Sequence, residues 1–260
     1  MKVTCATMLL LVACDFATAR SVPLPRPRPA LPVVAASAPM PNLSETSQPS
    51  ACRLRLTSDI ATAPSLPPIT GPGECEAPDV VRLEAVVLPD RSRVAVTPPA
   101  ILRCTMAEAI AGWVREEAAP RALDLGSSLT VIENLTSFDC RGRNGIAGAK
   151  LSEHGRANAL DIHSLRLANG KVVVLTDPHV PKDFREGLRK SVCAQFTTVL
   201  GPGSDDSHED HIHVDLLQRR GGYRICEWDI REPGEAPPAS ALVASVPLPR
   251  ARPAIDARPR

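Results

Sequence analysis

Residues 152–164 read SEHGRANALDIHS, and residues 208–215 read HEDHIHVD; together they hold five of the chain's 6 histidines. Side chains on a strand alternate between faces, so His211, His213 and Asp215 share one face of an extended HIHVD, as do Asp161 and His163. His154 and Asp161 are harder to unite. On one straight strand they point to opposite faces; on one helix they share a face but stand about 10 Å apart along the axis. They meet only if the small residues of GRANA turn the chain between them. A catalytic zinc takes three ligands from His and carboxylate and leaves a fourth position for water. The two stretches therefore permit one metal site, provided the fold brings DIHS and HIHVD side by side.

Outward from there, the spacing predicts the surrounding elements. HIHVDLL at 211–217 reads as a strand, and Asn169-Gly170 between DIHSLRL and KVVVLTD signals a hairpin. SSLTVIEN at 127–134 alternates like a half-buried strand. CTMAEAIAGWVREEAAPRAL, from Cys104 to Leu123, places Met106, Ile110, Trp113 and Val114 on one helical face, with Pro120 expected to end the helix. A second helix is expected from Lys182 to Phe196, with Phe184, Leu188, Val192 and Phe196 on its inner side. Hairpin strands with interspersed helices predict an α+β fold built on an antiparallel sheet with packed helices.

The ends read differently. MKVTCATMLLLVACDFATAR has a basic start, a short apolar run and a small-residue site at Ala17-Thr18-Ala19, the pattern of an export signal over residues 1–19. Leu11-Val12-Ala13-Cys14 also resembles a bacterial lipobox, which would attach the protein to a membrane through a lipid on Cys14. Both cleavage modes place the mature chain outside the cytoplasm, in a periplasm or envelope. Residues 20–50 form a Pro-rich linker and 231–260 a Pro/Arg-rich tail, carrying the near-repeat SVPLPRPRPA and SVPLPRARPA. Both segments are expected to be extended polyproline spacers, and their arginines (Arg26, Arg28, Arg250, Arg252) would suit an anionic envelope surface. One folded domain, 51–230, remains. The net charge of +1 gives no field that would recruit nucleic acid.

The cysteines left after the signal are Cys52, Cys75, Cys104, Cys140, Cys193 and Cys226, with no CxxC pair among them. That pattern argues for disulfides in an oxidising compartment rather than a cysteine-zinc site. Six cysteines allow fifteen pairings; the sequential set, 52–75, 104–140 and 193–226, is expected, each bond worth about 3–4 kcal/mol.

The motif S-x-H-(x)4-A-x-D at Ser152, His154, Ala159 and Asp161, followed by H-x-H at His211 and His213, resembles the LAS zinc peptidases. That group includes the D-Ala-D-Ala carboxypeptidases and dipeptidases, the penicillin-insensitive murein endopeptidase and the hedgehog signalling domain. The wider string SEHGRANALDI, with CAQFTTVLGPGSDDSHEDHIHVDL at 193–216, is similar to the bacterial extensin-like C-terminal domain over roughly residues 51–226. The resemblance implies a disulfide-stapled, hedgehog/DD-peptidase-like domain holding Zn2+ through His154, Asp161 and His213. It makes Asp210, His211 and His208 the candidates for base or transition-state stabiliser. Asp210 stands where the dipeptidases keep a glutamate base and is one methylene shorter. Asp215 is expected to orient a histidine, Ser152 to bond within the turn, and His163 to play an outer role; His179 has none. Ala157 replaces a glycine common in the group, and because alanine disfavours φ > 0 the turn is expected to differ there. The implied partner is peptidoglycan and the implied activity peptide-bond hydrolysis in wall peptides, with an endopeptidase cutting cross-links favoured by H-x-x-H-x-H. The rival reading is a non-catalytic, zinc-containing wall-binding module.

Overall fold

The computed structural model describes residues 49–235. The expected export signal with Cys14, most of the linker and the tail from 236 lie outside the described residues. The described chain opens with a short helix, α1 (Ala51–Arg55), and the short strands β1 (Ala61–Thr62), β2 (Ser65–Leu66), β3 (Ile69–Thr70) and β4 (Glu76–Ala77). Two long strands follow, β5 (Val80–Val87) and β6 (Arg93–Arg103). Helix α2 (Cys104–Trp113) runs through a π-helical turn, Val114–Ala118, into α3 (Ala119–Ala122). Then come β7 (Leu129–Thr136), β8 (Ala159–Leu167), β9 (Val172–Val174), helix α4 (Lys182–Gln195), β10 (Thr198–Leu200), β11 (Ile212–Asp215) and β12 (Ile225–Glu227).

Ten of these strands form one sheet in the order β1-β5-β6-β7-β8-β11-β10-β12, with β2 also on β5 and β9 also on β8; β3 and β4 pair separately. The α+β class is as expected, but the sheet is mixed, not antiparallel. β6 and β7 are parallel, as are β10 and β12. The helical stretch from Cys104 to Leu125 supplies the long crossover that a parallel pair needs and a hairpin cannot. β12 returns to the far side of β10 after β11 has paired with it, and the Cys193–Cys226 disulfide ties β12 to the end of α4.

Helix α2 packs on β5 and β6 and against α4. Met106, Ile110, Trp113 and Val114 are all buried, as are Phe184, Leu188, Val192 and Phe196. Each such side chain contributes about 1.5–3 kcal/mol of apolar burial. The Trp113 indole N–H donates to Ser191 Oγ at 3.0 Å, so the one polar atom it buries is satisfied. Pro120 does not end the helix. It sits in the first turn of α3, where its missing N–H costs nothing, and the π-turn before it lets Ala119 N–H reach Val114 O. The helix closes instead at Gly126, with φ 84°.

The hairpin at Asn169-Gly170 forms as expected. β8 and β9 pair antiparallel, and Gly170 takes φ 84°, a conformation open to glycine. The strand expected at 127–134 lies two residues later, at Leu129–Thr136.

Three disulfides staple the domain: Cys52–Cys104, Cys75–Cys140 and Cys193–Cys226. The first two correct the sequential pairing; the third is as expected. Cys104 opens α2, which packs on α1 where Cys52 lies, while Cys75 sits against the turn at Gly155. Tertiary neighbours therefore override nearness in sequence. Disulfides of this kind persist in oxidising compartments, which points outside the cytoplasm. Among the described residues no helix is long and apolar enough to cross a membrane. Cys75–Cys140 spans 65 residues, so a Cys75→Ala/Cys140→Ala variant should lose about 4 kcal/mol of stability by loop closure. Urea unfolding measures it; an unchanged midpoint would show that the 137–156 segment is braced without the bond.

Candidate metal centre

Across the sheet, Asp161 of β8 is the direct antiparallel partner of His213 of β11. His154 arrives from outside the ladder. Ser152 caps a 3₁₀ turn over Glu153–Arg156 by accepting the His154 N–H, and Ala157 reverses the chain into β8. GRANA thus makes the turn the spacing demanded. Its conformation departs from one expectation: Ala157 itself takes φ 52°, the left-handed region, at a cost of about 1–2 kcal/mol. Its methyl is fully buried with Ala77 and Val80, which offsets part of that cost, about 0.8 kcal/mol. Gly155 is needed for space, since a Cβ there would lie 2.6 Å from Leu151 Cδ1 and 3.3 Å from Cys75 Sγ.

Three atoms converge. His154 Nε2 lies 3.1 Å from Asp161 Oδ1 and 3.1 Å from His213 Nδ1, and His213 Nδ1 lies 2.9 Å from Asp161 Oδ1. The opposite ring nitrogens are committed elsewhere. His154 Nδ1–H donates to the Ser137 carbonyl at 2.6 Å, and His213 Nε2–H donates to Asp215 Oδ2 at 3.2 Å. Outer partners of this kind fix which nitrogen of a ligand imidazole keeps its lone pair. With those partners taken, three lone-pair atoms face one point, an arrangement that requires a positive charge at its centre. A tetrahedral ion with bonds of 2.0–2.1 Å holds its ligand atoms about 3.3 Å apart, a few tenths of an ångström wider than here. His154, Asp161 and His213 are all buried, and this group could hold a metal ion. A second grouping, Cys52, Asp79 and Cys104, is excluded because its thiols are joined in a disulfide.

Asp215 is itself held, taking hydrogen bonds from Thr198 Oγ1 and, at 2.9 Å, from Leu217 N–H. Arg219 reaches Thr198 Oγ1 at 2.7 Å. Asp215 thus orients His213, as the sequence led one to expect. His211 stands at the rim with Nε2 3.5 Å from Asp161 Oδ1. Its Nδ1–H donates to Asp210 Oδ1 at 2.7 Å, and the Asp210 side chain is 77% exposed. Asp210 therefore lies behind His211 and points away from the centre. His208 is buried; its Nδ1–H donates to Asp205 Oδ1 at 2.6 Å, and its ring centre is 5.6 Å from that of His213. Burial lowers the His208 pKa despite its Asp205 partner, which leaves the ring neutral at pH 7. His163 lies on the same strand as Asp161, and His179 in the turn at Asp177; neither enters the cluster. Arg141, unread in the sequence, brings Nη2 to 3.9 Å from Asp161 Oδ2. A cavity of about 370 Å³ opens over the three convergent atoms, walled by His208, His211, Arg141, Arg143 and Arg219.

Without an ion the cluster holds its charge as a proton. Burial alone would lower the His213 pKa, but hydrogen bonds to Asp161 and Asp215 outweigh it and raise it to about 9. Asp161 and Asp215, despite burial, are held below the usual carboxylate range by their histidine partners. The signs follow by linkage. His213 contributes stability that is complete below about pH 6.5 and is lost as pH rises through 9. The two aspartates contribute stability that is present above about pH 4 and is lost as pH falls below it. An ion entering the cluster would displace the His213 proton, so apparent affinity for a divalent metal ion should rise about tenfold per pH unit from 6 to 8, with about one proton released. Calorimetry in buffers of different ionisation enthalpy measures both; a pH-independent affinity would contradict this protonation scheme.

No curated protein matches the chain. No solved structure matches it either. The model of the family described as "Extensin-like protein C-terminus" matches residues 50–227, which takes in all three disulfides and every residue of the cluster. The chain belongs to the extensin-like protein C-terminus family.

Proposed function

We propose that the protein is an exported, zinc-dependent peptidase that hydrolyses amide bonds in peptidoglycan peptides, acting as an endopeptidase on cross-links. The observation that carries this reading is the convergence of two oriented imidazoles and one carboxylate beneath an open cavity. Two nitrogens and one oxygen suit zinc, and a three-ligand set leaves the fourth position that catalytic sites keep. The motif's likeness to the hedgehog/DD-peptidase group and the disulfides add the substrate class and the compartment.

When bound, the ion supplies Lewis acidity and lowers the pKa of water toward about 7. His154, Asp161 and His213 would hold it, with Ser137 O and Asp215 fixing the two rings. His211 is the proton acceptor. Its Nδ1–H is committed to Asp210, so Nε2 offers a lone pair on the cavity side, 3.5 Å from Asp161. It takes a proton from water and returns it to the leaving amine. Asp210 orients His211 in place of acting as the base, because its carboxylate faces solvent. Arg141 lies beside Asp161 where charge on the carbonyl oxygen would develop, and His208, neutral, completes the opposite wall.

Incubating the zinc-loaded protein with sacculi and profiling released muropeptides tests the reading. The expected result is new muropeptides from cross-linked material, absent when a chelator is added. Unchanged profiles at every metal condition, with sacculi still bound, would replace the peptidase by a zinc-containing wall-binding module.

A further inference from the structure

The loop 141–151 separates the cavity over the cluster from a second one of about 670 Å³ on its other side; Arg143 and Glu153 border both. The loop doubles back on itself. Gly142 bridges Leu151, and Arg143 N–H donates to Lys150 O at 2.9 Å, which makes Arg143 and Lys150 neighbours across one rung. Like charges opposed in this way destabilise a pair of strands. The nearby acids are engaged by other groups: Asp139 by Arg141 at 2.8 Å, Glu74 by Arg156 at 2.7 Å, and Glu153 by Asn158 and Arg156. Among the described residues, Arg143 and Lys150 have no ion-pair partner. Asn144 Nδ2 donates to Asp205 Oδ2 at 3.3 Å, which ties the loop across to the segment carrying His208 and holds Arg143 over the cleft.

We propose that Arg143 and Lys150 form a carboxylate-binding subsite, so that the bound peptide carries a free carboxylate on the part that leaves the cluster and crosses the loop. This rests on the peptidase reading for where the scissile bond lies, but the subsite itself is read by binding alone. A planar guanidinium receives a carboxylate through two parallel N–H bonds, and the ammonium beside it adds a point charge. The subsite selects acidic peptides, and its exposure makes the selection sensitive to salt.

The test uses the zinc-loaded full chain and calorimetry with a wall-stem tetrapeptide bearing free carboxylates and its fully amidated counterpart. The free acid should bind about tenfold tighter than the amide. That preference should vanish in Arg143→Gln/Lys150→Gln, persist in Lys190→Gln, an exposed lysine of α4 that borders neither cavity, and shrink in 0.5 M salt. Equal affinities for acid and amide, a preference that survives the double substitution, or no binding of either peptide would overturn the subsite. Selective binding of the acid by a protein that cuts nothing would sink the peptidase and keep the subsite. Turnover with no preference for the acid would do the reverse.

Discussion

His154→Ala and His213→Ala proteins are expected to bind zinc far more weakly and to release no muropeptides. Each substitution removes one of three atoms that meet within 3.1 Å and leaves the other two without a shared ion. The loss should exceed the 10–100-fold that follows removal of an outer partner. Asp215→Asn supplies that smaller reference, because it loosens only the ring of His213. The order matters more than any single value: ligand variants lose the metal, while the Asp215 variant loses 10–100-fold in affinity and keeps a loaded state. Metal analysis after dialysis against buffered zinc reads both. A His213→Ala protein that retained stoichiometric zinc would show the ion to be held elsewhere.

The second large effect separates holding the metal from moving a proton. His211→Ala should retain full zinc occupancy and lower kcat by about 10²–10⁴, the usual contribution of a positioned acid or base. Asp210→Ala should also keep its zinc but lose only about tenfold, since a carboxylate 77% exposed orients the imidazole without facing the reacting atoms. If Asp210→Ala were the more damaging of the two, the aspartate would be the base and His211 the stabiliser.

Much of this site could be read from two short strings. Alternation along HIHVD put His211, His213 and Asp215 on one side. The impossibility of joining His154 to Asp161 by any straight element demanded the turn that Ser152 to Ala157 now makes. Helix faces such as Met106-Ile110-Trp113 were equally legible, because local periodicity and burial report the same thing. What sequence left hidden depended on contacts between distant segments. The partner of Cys104 is decided by α2 packing on α1, and no spacing rule chooses Cys52 over Cys140. The parallel pairing of β6 with β7 follows from a helical crossover whose handling of Pro120 through a π-turn leaves no sequence signal. Residues 61–103 carry only a brief signal: Val81, Leu83 and Ala85 alternate with Arg82 and Glu84 in VVRLEAVV, the period of β5, but the apolar pairs at each end blur it. Asp210 was placed by spacing to the last histidine, which cannot say which way its carboxylate turns. Arg141 and Arg143 lie in RGRNGIAGAK, a loop without periodicity, where only the fold reveals what they face.

Zinc K-edge absorption spectroscopy on the loaded protein tests the centre most directly. The expected spectrum shows one zinc per chain with two imidazole nitrogens and carboxylate or water oxygens at about 2.0–2.1 Å and no sulfur. A shell without imidazole, a shell containing sulfur, or failure to load zinc at all would contradict it.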